Sequence, residues 1–136
     1  MKAIVRTDGA SRGNPGPAAI GVVVETPQGQ VLRELSERIG EATNNVAEYR
    51  ALLRGLEVAA ELGATRVEIR VDSELVARQL RGQYRVRSPQ LRPLYEEARR
   101  RLESFREAVI RTVRREENAR ADELANQALD AQPYIM

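Results

Sequence analysis

Residues 3–16 read A-I-V-R-T-D-G-A-S-R-G-N-P-G, a short apolar run that delivers one carboxylate, Asp8, into a turn built from three glycines and a proline. Residues 3–7 have the length and β-branched content of a buried strand. The residues after Asp8 carry turn chemistry, with Pro15 fixing φ and Gly16 supplying a permissive backbone. Asp8 is therefore expected at a strand end beside a bend, which is where open α/β sheets hold their chemistry. Taken alone, an Asp-Gly pair is more simply a turn cap. Its meaning depends on which other groups the chain brings to it.

Residues 18–25 form a nearly continuous apolar strand, 26–29 a hairpin turn and 30–38 a more polar third strand, so the first three strands make an antiparallel meander. Thr43, Asn44 and Asn45 then offer cap chemistry to a helix whose apolar positions Tyr49, Leu52, Leu53, Leu56 and Ala59 share one face and which ends near Gly63. Glu48 lies in its first turn along the edge of that buried stripe, with no evident cation beside it. Val67, Ile69 and Val71 alternate in a fourth strand that runs into Asp72, and Ser73 caps a short helix over residues 74–81. Ser88-Pro89 predicts the next helix start, with the proline at its first position. Residues 108–114 read as a fifth strand, 115–119 as a loop and 120–130 as a last helix with Asp122 in its first turn. The order β-β-β-α-β-α-α-β-α predicts an α/β fold with a five-stranded mixed sheet flanked by about four helices. Right-handed crossovers would set the fourth and fifth strands parallel to the first. Residues 1–130 are expected to form a single domain, and 131–136 a loosely docked tail.

Composition narrows the chemistry. The chain has no histidine and no cysteine, which removes Ser-His and Cys-His catalysis, histidine or thiolate zinc sites and any disulfide framework. Acid–base or metal chemistry must then use carboxylates. No apolar leader or long apolar stretch is visible, so a cytoplasmic location is the expectation. Net charge is +2, yet residues 76–101 carry eight arginines against Glu96 and Glu97, a local basic stripe that suits a polyanionic partner as well as it suits a solvated helix face.

On this layout Asp8 and Asp72 leave neighbouring parallel strands at the same end, and Glu48 and Asp122 can face the same cleft from two helix starts. Four converging carboxylates repel one another unless a cation sits among them. Hard divalent ions held through oxygen are the natural answer, and a pair of them about 3.5–4 Å apart can clamp an in-line phosphoryl displacement. Each acid singly is as well explained by helix capping or ion pairing; all four at strand ends and helix starts are not.

Four segments, T-D-G-A-S-R-G-N-P-G at 7–16, T-N-N-V-A-E-Y-R-A-L at 43–52, V-D-S at 71–73 and E-N-A-R-A-D-E-L-A at 117–125, resemble the signature blocks of the type 1 ribonuclease H family, in order and across essentially the whole chain. The resemblance implies an endonuclease that cuts the RNA strand of RNA/DNA hybrids, leaving 5′-phosphate and 3′-hydroxyl ends. It implies that Asp8 bridges two Mg²⁺ ions (Mn²⁺ being the alternative), that Glu48 and Asp72 hold the ion on the leaving-group side, and that Asp122 holds the ion that activates water. Asn14, Asn44 and Asn45 match positions that touch the hybrid backbone, and Thr43 with Asn45 matches the family's DNA-phosphate pocket. Double-stranded RNA is a further candidate partner, and a monomer is expected.

Three departures stand out. Many members place a histidine in the loop before the last acid, whereas here Arg115 is the candidate substitute, able to position phosphate but not to shuttle protons near neutrality. The basic helical insert of some relatives is absent, and Arg81, Arg85 and Arg87 are candidates for supplying part of its charge to the substrate. The tryptophan of the DNA-side channel is also missing, and Tyr84, the nearby aromatic, reads as a packing residue. Two other functions fit the same sequence: a catalytically silent hybrid-binding module, and a metal-dependent phosphatase acting on small esters.

Overall fold

A strand covered on both faces has no polar side to show, and β2, Gly16–Glu25, is that strand: residues 18–24 are all buried. The computed structural model, which describes residues 1–131, places it second in a sheet of order β3-β2-β1-β4-β5. β1 (Lys2–Ser11) pairs antiparallel with β2 on one side, and β3 (Val31–Ala42) does so on the other. The β2–β3 turn closes through the Gly29 N–H, which donates to Thr26 O at 2.9 Å. β4 (Arg66–Val71) then lies parallel to β1, and β5 (Glu107–Thr112) parallel to β4. This is the mixed sheet of three antiparallel and two parallel strands that the pattern of elements predicts.

Helix α1 (Asn44–Glu61) lies on one face of the sheet, and its buried Tyr49, Leu52, Leu56 and Val58 join Val5, Val22, Val24, Val67 and Ile69 in the main core. Helices α2 (Glu74–Leu80) and α3 (Arg92–Glu103) form the crossover from β4 to β5 on that side. Tyr49 OH donates to Gln79 Oε1 at 2.7 Å in the interior, tying α1 to α2. A short 3-10 turn, Arg115–Asn118, leads into α4 (Ala119–Asp130), which packs on the opposite face against β1, β2 and β3. No helix among the described residues is long and apolar enough to cross a membrane.

Two glycines set how deeply α1 and α4 ride on the sheet. A Cβ on Gly9 would stand 2.2 Å from the backbone carbon of Ala47 in α1, and one on Gly21 would stand 2.0 Å from the Ala121 carbonyl in α4. Neither position has room for any side chain, so each helix backbone rests directly on a strand backbone.

Three expectations are corrected. β1 does not stop before Asp8: it runs to Ser11, because β2 continues to pair with it through Asp8↔Gly21 and on to Ser11↔Ala18. The third helix begins at Arg92 rather than at Pro89. Ser88 instead closes a turn, its carbonyl accepting from the Leu91 and Arg92 N–H groups, and Pro93 takes the tolerated place in the first helical turn. Tyr84 is not packed inside; it is 47% exposed, with the Arg78 guanidinium 5.3 Å from its ring centroid. The connection between α2 and α3 contains no inserted helix. Of the expected tail, residues 132–136 lie outside the described residues.

Candidate active site

The β1–β4 ladder ends at Arg6↔Arg70, two residues before Asp8 on one strand and Asp72 on the other. Asp8 is thus still held by β2 on one edge while the edge toward β4 has opened, so both acids face a common gap. Glu48 arrives from α1. Its helix is capped by Thr43, whose Oγ1 accepts from the Val46 N–H at 3.2 Å, and Gly9 lets the first turn rest on β1 immediately after Asp8. Carboxylate oxygens of Asp8, Glu48 and Asp72 lie within 4.8 Å of one another. Asp122 enters from the first turn of α4, seated by the contact of Ala121 with Gly21, the residue paired with Asp8. Its carboxyl adds to the negative charge gathered around Asp8.

The electrostatics reflect that crowding. Burial pushes the Asp8 carboxyl up to about 8, and Asp72, Asp122 and Glu48 add to the effect. Burial also drives Glu48 up to about 7, with the Asp72 charge adding and the Ser73 hydroxyl acting in the opposite sense. Asp72 is raised by burial, while the Asn118 amide and the Arg115 guanidinium favour its charged form. Lack of solvent and mutual repulsion both disfavour the charged forms of these groups. A divalent cation removes both causes, and oxygen-only donors at this separation match what Mg²⁺ or Mn²⁺ takes. The residues therefore fit a divalent-ion site.

All four acids line one open cleft of about 770 Å³ together with Arg12, Asn44, Arg114, Arg115 and Asn126. Arg115 is exposed and faces Asp72, whereas the Arg114 guanidinium is engaged by Glu116 and Glu117. Asn14 sits at the cleft's edge, its Oδ1 accepting from the Asn44 N–H at 3.2 Å. Thr43 lines an adjoining groove of about 480 Å³ with Pro15, Arg50, Gln90 and Pro93, and Asn45, in the first turn of α1, is half-buried. The structure does not bring Arg81, Arg85 or Arg87 into the acid cleft. Arg81 donates to the Ile110 carbonyl at 2.6 Å, and Arg85 and Arg87 are exposed on the α2–α3 connection.

Some contributors carry little sequence signal. Asn118 is 1% exposed; its Nδ2 donates to Thr7 O at 2.9 Å, filling the gap where the β1–β4 ladder stops, and its Oδ1 has no hydrogen-bond partner among the described residues. Its hints are its place in the 117–125 segment and the spacing N-x-x-x-D before the last acid. Arg12 lies within the 7–16 segment, and Asn126 offers no motif at all.

A family model described as reverse transcriptase-like matches residues 6–128. A bifunctional protein of Mycobacterium tuberculosis is 48% identical over 132 residues, which are 96% of this chain and 36% of that protein. The chain thus spans about a third of that relative's length. The crystal structure of ribonuclease H1 from Halobacterium salinarum is similar at 47% identity and a TM-score of 0.94, covering 96% of this chain and 98% of that one. A ribonuclease H1 isolated from compost, solved in complex with an RNA/DNA hybrid, is similar at 46% identity and a TM-score of 0.89, over 94% and 96% of the two chains.

Proposed function

Because this chain belongs to the type 1 ribonuclease H family, we propose that it is a metal-dependent endonuclease that hydrolyses the RNA strand of RNA/DNA hybrids, leaving 5′-phosphate and 3′-hydroxyl ends. The observation that carries this reading is the set of Asp8, Glu48 and Asp72 oxygens within 4.8 Å, with Asp122 in the same cleft. Asp8, Glu48, Asp72 and Asp122 would hold two Mg²⁺ ions, with Mn²⁺ as the alternative, and ions bound there would supply Lewis-acid activation of water and of the scissile phosphate. Asp8, whose carboxyl is perturbed by all three other acids, would be the ligand that the ions have in common.

The protein's own groups do the remaining work. Arg115 lines the same cleft as the acids and fixes a phosphate as a permanent cation. Asn14, Asn44 and Asn45 offer amides at the start of α1, suited to the 2′-hydroxyls and base edges of a shallow minor groove. Thr43, at the adjoining groove, suits a phosphate of the DNA strand, and Arg81, Arg85 and Arg87 extend the positive surface for a long duplex. The hybrid-bound compost ribonuclease H1, similar over nearly the whole chain, supports a polymer rather than a small ester as substrate.

One assay separates the readings: a labelled RNA/DNA hybrid and a nitrophenyl phosphate, each with and without Mg²⁺. Mg²⁺-dependent cleavage confined to the RNA strand is expected. Binding without cleavage would favour a silent hybrid-binding module, and turnover of the small ester alone a phosphatase.

A further inference from the structure

Helix α4 is rich in alanine and leucine over residues 121–129, yet it carries an asparagine in its interior at position 126. Asparagine is a poorer helix former than alanine, because its amide competes for backbone groups. Asn126 stands one turn beyond Asp122 on the face that lines the acid cleft. Its Nδ2 donates to the Asp122 carbonyl at 3.0 Å and to Asp122 Oδ1 at 3.3 Å. The carbonyl is the natural acceptor of the helix's own N–H from position 126, so the helix does not need the side chain. What the side chain adds is a hold on the carboxylate.

We propose that Asn126 is a positioning residue for the divalent-ion site, fixing Asp122 in the rotamer that turns its carboxylate toward Asp8. This inference rests on the reading of the four acids as metal ligands. The choice of side chain fits the task. An arginine one turn along would hold the same carboxylate but spend its charge on an ion pair. An alanine would leave the χ angles of Asp122 free. A neutral donor orients the acid and leaves its whole charge to attract a cation. The contact also explains how a half-buried acid on a helix, not on the sheet, keeps a fixed place in the cleft that Asp8 lines.

The test compares wild type with Asn126→Ala and with Asn126→Leu, which retains bulk but has no donor. Thermal unfolding is followed across a Mg²⁺ and a Mn²⁺ titration, and kcat and KM are measured on a hybrid. Partners that orient metal-binding carboxylates typically account for about 10–100-fold in metal affinity or activity. The metal concentration giving half of the thermal shift should therefore rise roughly tenfold in both variants. The metal-free melting temperature of Asn126→Ala should be unchanged or slightly higher, KM for the hybrid should stay constant, and the lost kcat should return as metal is raised. A merely structural asparagine predicts the opposite pattern, a lower melting temperature with unchanged metal dependence. That result overturns the proposal, as does an unchanged metal midpoint in either folded variant. A wild-type protein that melts identically with and without metal and cleaves no hybrid overturns the metal-site reading itself.

Discussion

Removing the charge of Asp8 should stabilise the metal-free protein, and the effect should depend on pH in a way that the site geometry dictates. Asp8 is 8% exposed, and burial together with Asp72, Asp122 and Glu48 raises its carboxyl from 3.8 to about 8. A group whose pKa is higher in the folded state gives its full stabilisation below the unfolded value, and that stabilisation is lost as pH rises through the folded value. Between pH 4 and 8 the unfolded chain has released this proton while the folded one keeps it, so each pH unit costs about 1.4 kcal/mol. The whole interval amounts to about 6 kcal/mol as an upper bound. Glu48 shares the same repulsion, and water reaches the mouth of the cleft, so about half of that, ~3 kcal/mol, is the working figure. For a chain of this size 1 kcal/mol moves the melting temperature by about 3–4 °C. In chelator, Asp8→Asn should therefore melt close to wild type at pH 4 and about 10 °C higher at pH 8.5. Saturating Mg²⁺ should narrow the gap by raising wild type alone, and the variant should have lost hybrid cleavage. A difference in melting temperature that does not grow with pH, or a variant less stable throughout, would refute the reasoning.

Arg115→Ala should slow turnover by weakening phosphate placement, with Arg115→Lys recovering part of the loss. The pH–rate profile of wild type should rise through neutrality with no falling limb near the imidazole value of about 6.5; wild-type kinetics in the alanine variant would remove Arg115 from the site. Neutralising Arg81, Arg85 and Arg87 together should weaken hybrid binding and reduce the slope of log K against log salt by up to about 0.9 for each phosphate no longer neutralised, and an unchanged slope would place the stripe away from the substrate. Tyr49→Phe should strand the buried Gln79 acceptor at a cost of about 1–3 kcal/mol in denaturant unfolding, while kcat on the hybrid stays at the wild-type value.

The element order was readable because its signals are local. The unbroken apolar run of β2, the alternation of β4 and the Thr43 cap each announce a structure within a few residues. What misled was also local chemistry overridden by tertiary pairing. The Asp-Gly pair at residues 8 and 9 looks like a turn, but β2 offers a partner for every residue to Ser11, and the ladder wins. Ser88-Pro89 has the composition of a helix start and closes a turn instead. Asp72 and Asp122 could be placed by position, since the end of β4 and the start of α4 can be read from the pattern, whereas Asp8 lies inside β1 and Glu48 stands just beyond the first turn of α1. Asn118 and Asn126 could not, because a buried asparagine filling a gap between strands, or one holding a carboxylate a helical turn away, is defined by neighbours distant in sequence or by rotamer.

The absence of side chains at Gly9 and Gly21 is part of the chemistry of this protein. The two hydrogens there stand where α1 and α4 touch the sheet, one beside Asp8 in sequence and the other beside it in the ladder. The spacing of the carboxylates is therefore a dimension of the core itself, set by how closely backbone meets backbone and not by any loop. Ion affinity in such a site is a gauge of interior density. Heat or an added methyl that swells the packing between helix and sheet disperses the negative charges first, so any cation held there should leave while the secondary structure is still whole.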